Sequence, residues 1–145
     1  IIRFWKAFTR WSPFLPVGQI VRLSSGKRLT PQEVAAYDAP FPSEAFLAGV
    51  RVFPQLIPMS SDDPATEGNV AAWSVLRNWE KPFLTVFSNG DPVLGEMDRL
   101  FQERIPGAAH QPHARVDGGH FLQEPAGWEL VRHIDTLIAQ TPAPR

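Results

Sequence analysis

Cysteine is absent from this 145-residue chain, so disulfides contribute nothing to its fold. A protein that does without disulfides is typical of the cytoplasm, and we predict that location. No apolar run approaches the ~18–20 residues of a membrane-spanning helix, so we expect no membrane partner. The formal net charge is only −1, which gives no reason to expect a nucleic-acid partner.

Motifs for cofactors and metals are also missing. The sequence has no glycine-rich phosphate loop and no dinucleotide-binding fingerprint. Three histidines, His110, His113 and His133, show no ligand spacing with cysteine or acidic residues. We therefore expect neither a cofactor nor a metal site.

The composition changes near residue 80. The part before it has short helical patterns interrupted by proline and no convincing strand. Predicted helices run from Ile1 to Trp11, from Pro31 to about Asp38 behind the capping box Thr30-Pro-Gln-Glu33, from Ser43 toward Val50, and from Asp63-Pro64 to about Trp79. We interpret residues 1–80 as a helical lid domain that is incomplete at its start, because Ile1 already lies in a helical pattern and no initiator methionine precedes it.

Residues 81–145 alternate between strand and helix patterns. A compact apolar strand is predicted from Phe83 to Phe87 and a second from His113 to Val116. Helices are predicted from Glu96 to Arg104 and from Pro125 to Ala139. The inward face of the last helix is predicted to carry Trp128, Val131, Ile134, Leu137 and Ile138. This order indicates an α/β fold, with residues 81–145 as the last two strand–helix units of a parallel sheet.

An acidic residue and a histidine follow the two predicted strands. Asp91 lies in Asn89-Gly-Asp-Pro and His120 follows the pair Gly118-Gly119, which allows a sharp turn. Because ligands bind at the carboxyl ends of parallel strands, both residues are placed to act as the acid and base of a hydrolase triad. The alternative is that each merely closes a turn. Asp117 is a rival acid, but it lies too near His120 along the chain to orient the ring easily.

Aromatic residues of the first part offer further candidates. Trp5 has an indole N–H that is suited to holding an anion in a dry cavity, although its spacing is equally that of a core residue. The stretch Phe53-Pro54-Gln-Leu-Ile57-Pro58 is suited to lining a small apolar pocket, with core packing as the default alternative.

With those residues identified, the chain resembles the haloalkane dehalogenases, a family with the α/β-hydrolase fold. The resemblance rests on separated motifs along nearly the whole chain: Ala36-Tyr-Asp-Ala-Pro-Phe-Pro42, Gly49-Val-Arg-Val-Phe-Pro-Gln-Leu-Ile-Pro58, Lys81-Pro-Phe, Asp91-Pro-Val-Leu-Gly95 and Gly119-His-Phe-Leu-Gln-Glu124. It implies a partial α/β-hydrolase fold that covers the lid and the carboxyl-terminal part of the family's length.

The resemblance also implies roles for individual residues. Asp91 is then the triad acid, His120 is the base, and Trp5 donates its N–H to the halide. The residues that line the substrate cavity are then Phe53, Pro54, Ile57, Val93 and Leu94. In the family mechanism an aspartate displaces the halide from a small haloalkane, and water activated by the histidine hydrolyses the resulting ester.

The resemblance leaves one part of the machinery unaccounted for. The nucleophilic aspartate, a second halide donor and the oxyanion hole belong upstream of Ile1, in the amino-terminal half of the same fold. We therefore predict that the isolated chain has no dehalogenase activity.

Three alternatives stay open at this point. An epoxide hydrolase of the same fold needs two lid tyrosines, and this chain has the single tyrosine Tyr37. A serine-type ester hydrolase would share Asp91 and His120 but would not use a halide-donating Trp5. Finally, the sequence is also compatible with a gene remnant or a truncated product that has no catalytic function of its own.

Overall fold

The computed structural model describes residues 1–26 and 29–141. Within these ranges the chain divides into two compact units, one made of residues 1–23 and 29–73 and the other of residues 24–26 and 74–141. The division near residue 73 lies a few residues before the predicted one at residue 80. The assignment of the two parts as lid and core stays a prediction, and residues 142–145 of the predicted second domain lie outside the described residues.

The first unit is helical. Its helices are α1 (Ile2–Trp11), α2 (Val17–Ser24), α3 (Pro31–Asp38), α4 (Ala48–Val52) and α5 (Thr66–Leu76), with 3-10 turns at Glu44–Phe46 and Phe53–Leu56. Helix α2, which ends in the short segment assigned to the second unit, was not predicted from the sequence. The other helices occur where the sequence patterns predicted them: α3 has the predicted bounds, and α1, α4 and α5 have shifted ends.

A side-chain cap explains where α3 begins, whereas the caps expected for the two later helices do not form. The capping box before α3 is confirmed: the N–H of Glu33 donates to Thr30 Oγ1 at 3.2 Å, and the N–H of Thr30 donates to Glu33 Oε2 at 2.6 Å. Ser43 makes no capping hydrogen bond, and a 3-10 turn separates it from α4. Asp63 instead accepts the N–H groups of Met59 and Ser60, so α5 begins later than predicted.

The second unit contains a short parallel sheet. Strand β1 (Val86–Ser88) pairs in parallel with β2 (Ala114–Val116), with Val86 opposite Ala114 and Ser88 opposite Val116. Helix α6 (Met97–Arg104) connects the two strands and α7 (Gly127–Gln140) follows the second. The predicted α/β order is confirmed, although both strands are shorter than the sequence pattern suggested.

An ion pair between buried Asp98 and partly exposed Arg115 ties α6 to the sheet. Arg115, in the middle of β2, donates to both carboxylate oxygens of Asp98 at 2.9 and 2.5 Å and to the carbonyl of Gly95 at 2.7 Å. Burial raises the pKa of Asp98, but the hydrogen bonds and charge of Arg115 outweigh that effect and bring the pKa below its usual range. Because Gly95 ends the loop after β1, this pair also anchors that loop.

The apolar face of α7 is not covered within the described residues. Trp128 is 85% exposed and Ile138 is 66% exposed, so the prediction that this face points inward is wrong for these residues and for Val131 and Ile134. A 14-residue helix is about 21 Å long, whereas two three-residue strands form a sheet only about 10 Å in each direction. Such a sheet is too small to cover the helix.

No helix in the described part of the chain is long and apolar enough to cross a membrane.

Candidate active site

Asp91 lies three residues beyond the end of β1, in the loop that leads to α6. Its carboxylate is only 6% exposed and accepts the N–H of Val93 at 2.7 Å. Burial raises the pKa of Asp91, but hydrogen bonds from the Val93 N–H, from His120 and from the Leu94 N–H, together with the His120 charge, hold that pKa below its usual range. Asp91 is therefore a carboxylate at neutral pH.

His120 lies four residues beyond the end of β2 and meets Asp91. The Nδ1 atom of its ring is 3.1 Å from each carboxylate oxygen of Asp91. A carboxylate only accepts hydrogen bonds, so the neutral ring carries its proton on Nδ1. Nε2 is then unprotonated, and the side chain is 32% exposed. This geometry leaves Nε2 able to take a proton from water or substrate.

A segment distant in sequence holds the histidine loop. The N–H of His120 donates to the carbonyl of Ser24 at 2.6 Å, and the N–H of Gly119 donates to the carbonyl of Ser25 at 2.8 Å. A Cβ atom on Gly119 would lie 2.2 Å from the Ser24 oxygen and 2.7 Å from the nitrogen of Gly26. Gly119 is therefore required for close approach of two backbones.

The glycine pair before the histidine also allows a close approach of the backbone, a role that the sequence analysis did not predict. Among the described glycines, the left-handed conformation occurs at Gly26, with a φ of 71°. Gly118 and Gly119 do not adopt it. The sequence pattern correctly drew attention to the glycines but gave no sign of residues 24–26, because contacts between distant segments have no local signal.

Asp117, the rival acid, points to a different partner. Its Oδ1 accepts a hydrogen bond from the Asn89 side chain at 3.1 Å, and the residue is exposed. Asp91 is therefore the carboxylate that contacts the imidazole. Val93 and Leu94, the cavity residues predicted after the acid, are both partly exposed next to it in the loop.

The remaining predicted site residues belong to the first unit. Trp5 is half-buried on α1 and stacks on Phe8 with 5.7 Å between ring centres. Phe53 is exposed, Pro54 is buried and Ile57 is partly exposed. Each residue is placed within its own unit only, so halide binding by Trp5 and the lining of a pocket by the other three stay predictions.

Hydrogen bonds connect the helix of Trp5 to the predicted pocket segment. Gln55 donates through Nε2 to the hydroxyl of Thr9 at 3.0 Å and to the carbonyl of Lys6 at 2.9 Å. Lys6 returns hydrogen bonds to the carbonyls of Gln55 and Ile57 at 3.2 and 2.6 Å. Thr9 in turn donates to the Trp5 carbonyl at 3.0 Å. These bonds fix α1 against residues 53–57.

Metal ligands do not cluster in the described ranges. No group of three or more histidine, cysteine or acidic side chains lies close enough together there to hold a metal ion. The contact of His120 with Asp91 supports the chemistry of an acid–base pair at the end of a parallel sheet.

Comparison with known proteins shows that this chain is similar to haloalkane dehalogenases. No family model matches the chain. The haloalkane dehalogenase of Mycobacterium marinum is 52% identical over 130 residues, which is 90% of this chain and 44% of that protein. The haloalkane dehalogenase of Psychrobacter cryohalolentis is 41% identical over 141 residues, which is 97% of this chain and 46% of that protein.

A solved structure agrees with these relatives. The tetrameric haloalkane dehalogenase DpaA from Paraglaciecola agarilytica superposes with a TM-score of 0.80 at 29% identity, and the match covers 99% of this chain and 47% of that one. The chain thus spans less than half the length of the proteins it matches. The resemblance that the sequence motifs indicated is confirmed: this chain is similar to haloalkane dehalogenases over 44–47% of the length of the three proteins named above.

Proposed function

We propose that this chain supplies the acid and the base of a haloalkane dehalogenase, an enzyme that hydrolyses carbon–halogen bonds of small haloalkanes to alcohol and halide. The observation that carries the proposal is the contact of His120 Nδ1 with both oxygens of Asp91 at 3.1 Å, at the carboxyl ends of two parallel strands. Proteins that are 41–52% identical to this chain over 90–97% of its length bear the name haloalkane dehalogenase, which favours this chemistry over epoxide or ester hydrolysis.

In the proposed reaction the histidine acts in the second of two steps. An aspartate outside these 145 residues attacks the halogen-bearing carbon, so that a carbon–oxygen bond forms, the carbon–halogen bond breaks and halide departs with the electron pair. Halide is a weak base, so this step needs no proton donor. His120 Nε2 then removes a proton from water as the water attacks the ester carbonyl. Collapse of the tetrahedral intermediate expels the alkoxide, which takes that proton back from the imidazolium and leaves as the alcohol, and the regenerated aspartic acid loses its proton to solvent.

The structure supports a stabilising role for Asp91 in that second step. When Nε2 takes the proton, the ring becomes an imidazolium, and the adjacent carboxylate stabilises its positive charge. The low pKa of Asp91 keeps it charged throughout. Neither residue needs to move, because the hydrogen bond already exists before the reaction.

The rest of the proposal concerns the groups around this pair. Trp5 would hold the departing halide, and Phe53, Pro54, Ile57, Val93 and Leu94 would line the cavity for the alkyl chain. The nucleophile would come from the amino-terminal half of the same fold, so the isolated chain would be inactive. We also propose a cytoplasmic location, because the sequence contains no cysteine.

A hybrid enzyme tests the proposal. The chain would replace the matching 130-residue segment of the Mycobacterium marinum relative, and bromide release from 1-bromobutane would be measured. We expect the hybrid to turn over and the isolated chain to release no bromide. Sustained, saturable bromide release by the isolated chain would contradict the proposal that the nucleophile lies outside these 145 residues.

Variants of the hybrid then separate the two steps. His120→Gln should release about one bromide per active site and stop, with the protein gaining the mass of one butyl group, because ester hydrolysis lacks its base. Asp91→Asn should slow turnover by a factor on the order of 100 or more. Asp117→Asn is the matched control, since Asp117 is exposed and contacts Asn89 rather than the ring. Unchanged turnover in His120→Gln would refute the assignment.

A second pair of variants tests the halide donor. Trp5→Phe removes the indole N–H and should weaken bromide binding, measured as quenching of tryptophan fluorescence in the hybrid. Trp11→Phe, on the same helix but exposed, is the control and should leave bromide affinity unchanged. Equal bromide affinities of the two variants would show that Trp5 does not bind the halide.

A further inference from the structure

Ser88 lies between the two loops that carry Asp91 and His120. It is the last residue of β1 and only 3% exposed. Its hydroxyl accepts the N–H of Gly90 at 3.0 Å, next to Asp91, and donates a short hydrogen bond to the carbonyl of Gly118, two residues before His120. One buried hydroxyl therefore connects both loops at positions adjacent to the acid–base pair.

The backbones of the two loops also approach each other at this point. A Cβ atom on Gly90 would lie 2.6 Å from the oxygen of Gly118, the same oxygen that accepts the Ser88 hydroxyl. Asn89 adds two links across the gap, through its N–H to the Val116 carbonyl at 3.0 Å and through its side chain to Asp117 at 3.1 Å. Of these links, the one through Ser88 is buried and lies nearest to both functional side chains along the chain.

We propose that Ser88 is a positioning residue, whose hydroxyl holds the Asp91 loop and the His120 loop at the separation that lets the Asp91 carboxylate bind His120 Nδ1. The role rests on the proposed function of that pair. The contact between the pair spans two loops, so it depends on the distance between them as well as on what holds each loop. A small shift between them is enough to lengthen a 3.1 Å hydrogen bond beyond its useful range.

Thr85 offers a matched control on the same stretch of chain. It is also 3% exposed, and its hydroxyl is within 3.0 Å of His113 Nδ1 and accepts from the Gln102 side chain at 2.8 Å. It precedes β1, at the end opposite to the active site. Ser88→Ala and Thr85→Val each remove one buried hydroxyl, but only the first loosens the two functional loops.

The first measurement is histidine NMR on the full 145-residue chain. With the ring nitrogens labelled, the Nδ1 proton bound to Asp91 should give a downfield signal, and Nε2 should show an unprotonated shift. Ser88→Ala should weaken or remove the His120 signal and leave His113 unchanged. Thr85→Val should shift the His113 signals and leave His120 unchanged, because it removes the hydroxyl next to His113 Nδ1. Both variants should melt below the wild type by comparable amounts.

Two more variants distinguish the presence of the hydroxyl from the spacing of the two loops. Ser88→Thr keeps the hydroxyl and should restore the His120 signal. Gly90→Ala keeps the hydroxyl but places a Cβ against the Gly118 oxygen, and it should reproduce the loss seen in Ser88→Ala. In the hybrid enzyme, Ser88→Ala should lower kcat about 10-fold or more with little change in KM, because misplacement of the base affects the reaction and not substrate binding.

The outcomes distinguish this inference from the function on which it rests. A His120 signal that is present and insensitive to Ser88→Ala would show that Ser88 is merely structural and would leave the acid–base pair intact. Absence of the signal from the wild-type chain would overturn the pairing itself, and the positioning role with it. A shift of both histidines in both variants would also overturn the proposal, since it would show a general loosening of the unit.

Discussion

Replacing Gly119 by alanine tests how the histidine loop is held. The new Cβ atom would lie 2.2 Å from the Ser24 oxygen and 2.8 Å from the carbonyl carbon of Ser25. These are backbone atoms, so no side-chain rotation relieves the overlap. The two segments must separate, and the hydrogen bonds from Gly119 and His120 to the carbonyls of Ser25 and Ser24 must lengthen or break.

The expected loss follows from those two hydrogen bonds. A typical intramolecular hydrogen bond contributes about 0.5–1.5 kcal/mol net, so losing both costs about 1–3 kcal/mol. A loss of 1.4 kcal/mol already changes the ratio of folded to unfolded protein about 10-fold. Residual strain in the loop adds to this value.

Urea denaturation followed by circular dichroism measures the change, with Gly127→Ala as the control. Gly127 is the first residue of α7, and a Cβ there meets no atom within 4 Å. The control should be neutral or more stable than the wild type by up to about 1 kcal/mol, because alanine favours the helix. If Gly119→Ala unfolds at the same urea concentration as the wild type, the close approach of residues 24–26 to the histidine loop is refuted.

The other predictions concern single features of each unit. Thr30→Ala removes the cap of α3 and should destabilise the first unit by about 1 kcal/mol, seen in thermal melting; a change within error would contradict the capping box with Glu33. Asp98 has a lowered pKa in the folded chain, so its stabilising effect is present above the unfolded-state pKa of about 4 and is lost as the pH falls through the folded value. Asp98→Asn should flatten the acid limb of the stability–pH curve, and an unchanged limb would mean that Arg115 does not stabilise the charged form. Ile138→Lys, on the exposed face of α7, should reduce self-association in analytical ultracentrifugation with little change in melting temperature, whereas a large drop in that temperature would show that the face is buried in the folded protein.

Several elements were predictable because their signals are local. The capping box of Thr30 and Glu33 is a four-residue pattern, and α3 begins where it predicts. The order of strands and helices after residue 81 follows from apolar patterns and turn residues. The ends of the strands were less predictable, because pairing with the neighbouring strand decides where a strand stops: β1 starts at Val86 although the apolar run begins at Phe83.

Other elements depended on contacts that no local pattern encodes. Helix α2 lacks a clear start signal, and its last residue and the two that follow pack against the histidine loop. The exposed face of α7 was also mispredicted, since its helical periodicity indicates an apolar face and says nothing of whether enough sheet is present to cover it.

The sequence by itself determined the candidates: an acid after one strand, a histidine after the next, and motifs that resemble the haloalkane dehalogenases. It did so because residue type and order along the chain are enough to define such motifs. The tertiary structure decided which groups meet. It brought the carboxylate of Asp91, and not that of Asp117, to His120 Nδ1, and it revealed Ser88 and residues 24–26 as their supports. Those contacts join residues between 29 and 96 positions apart, and only folding brings such residues within hydrogen-bonding distance.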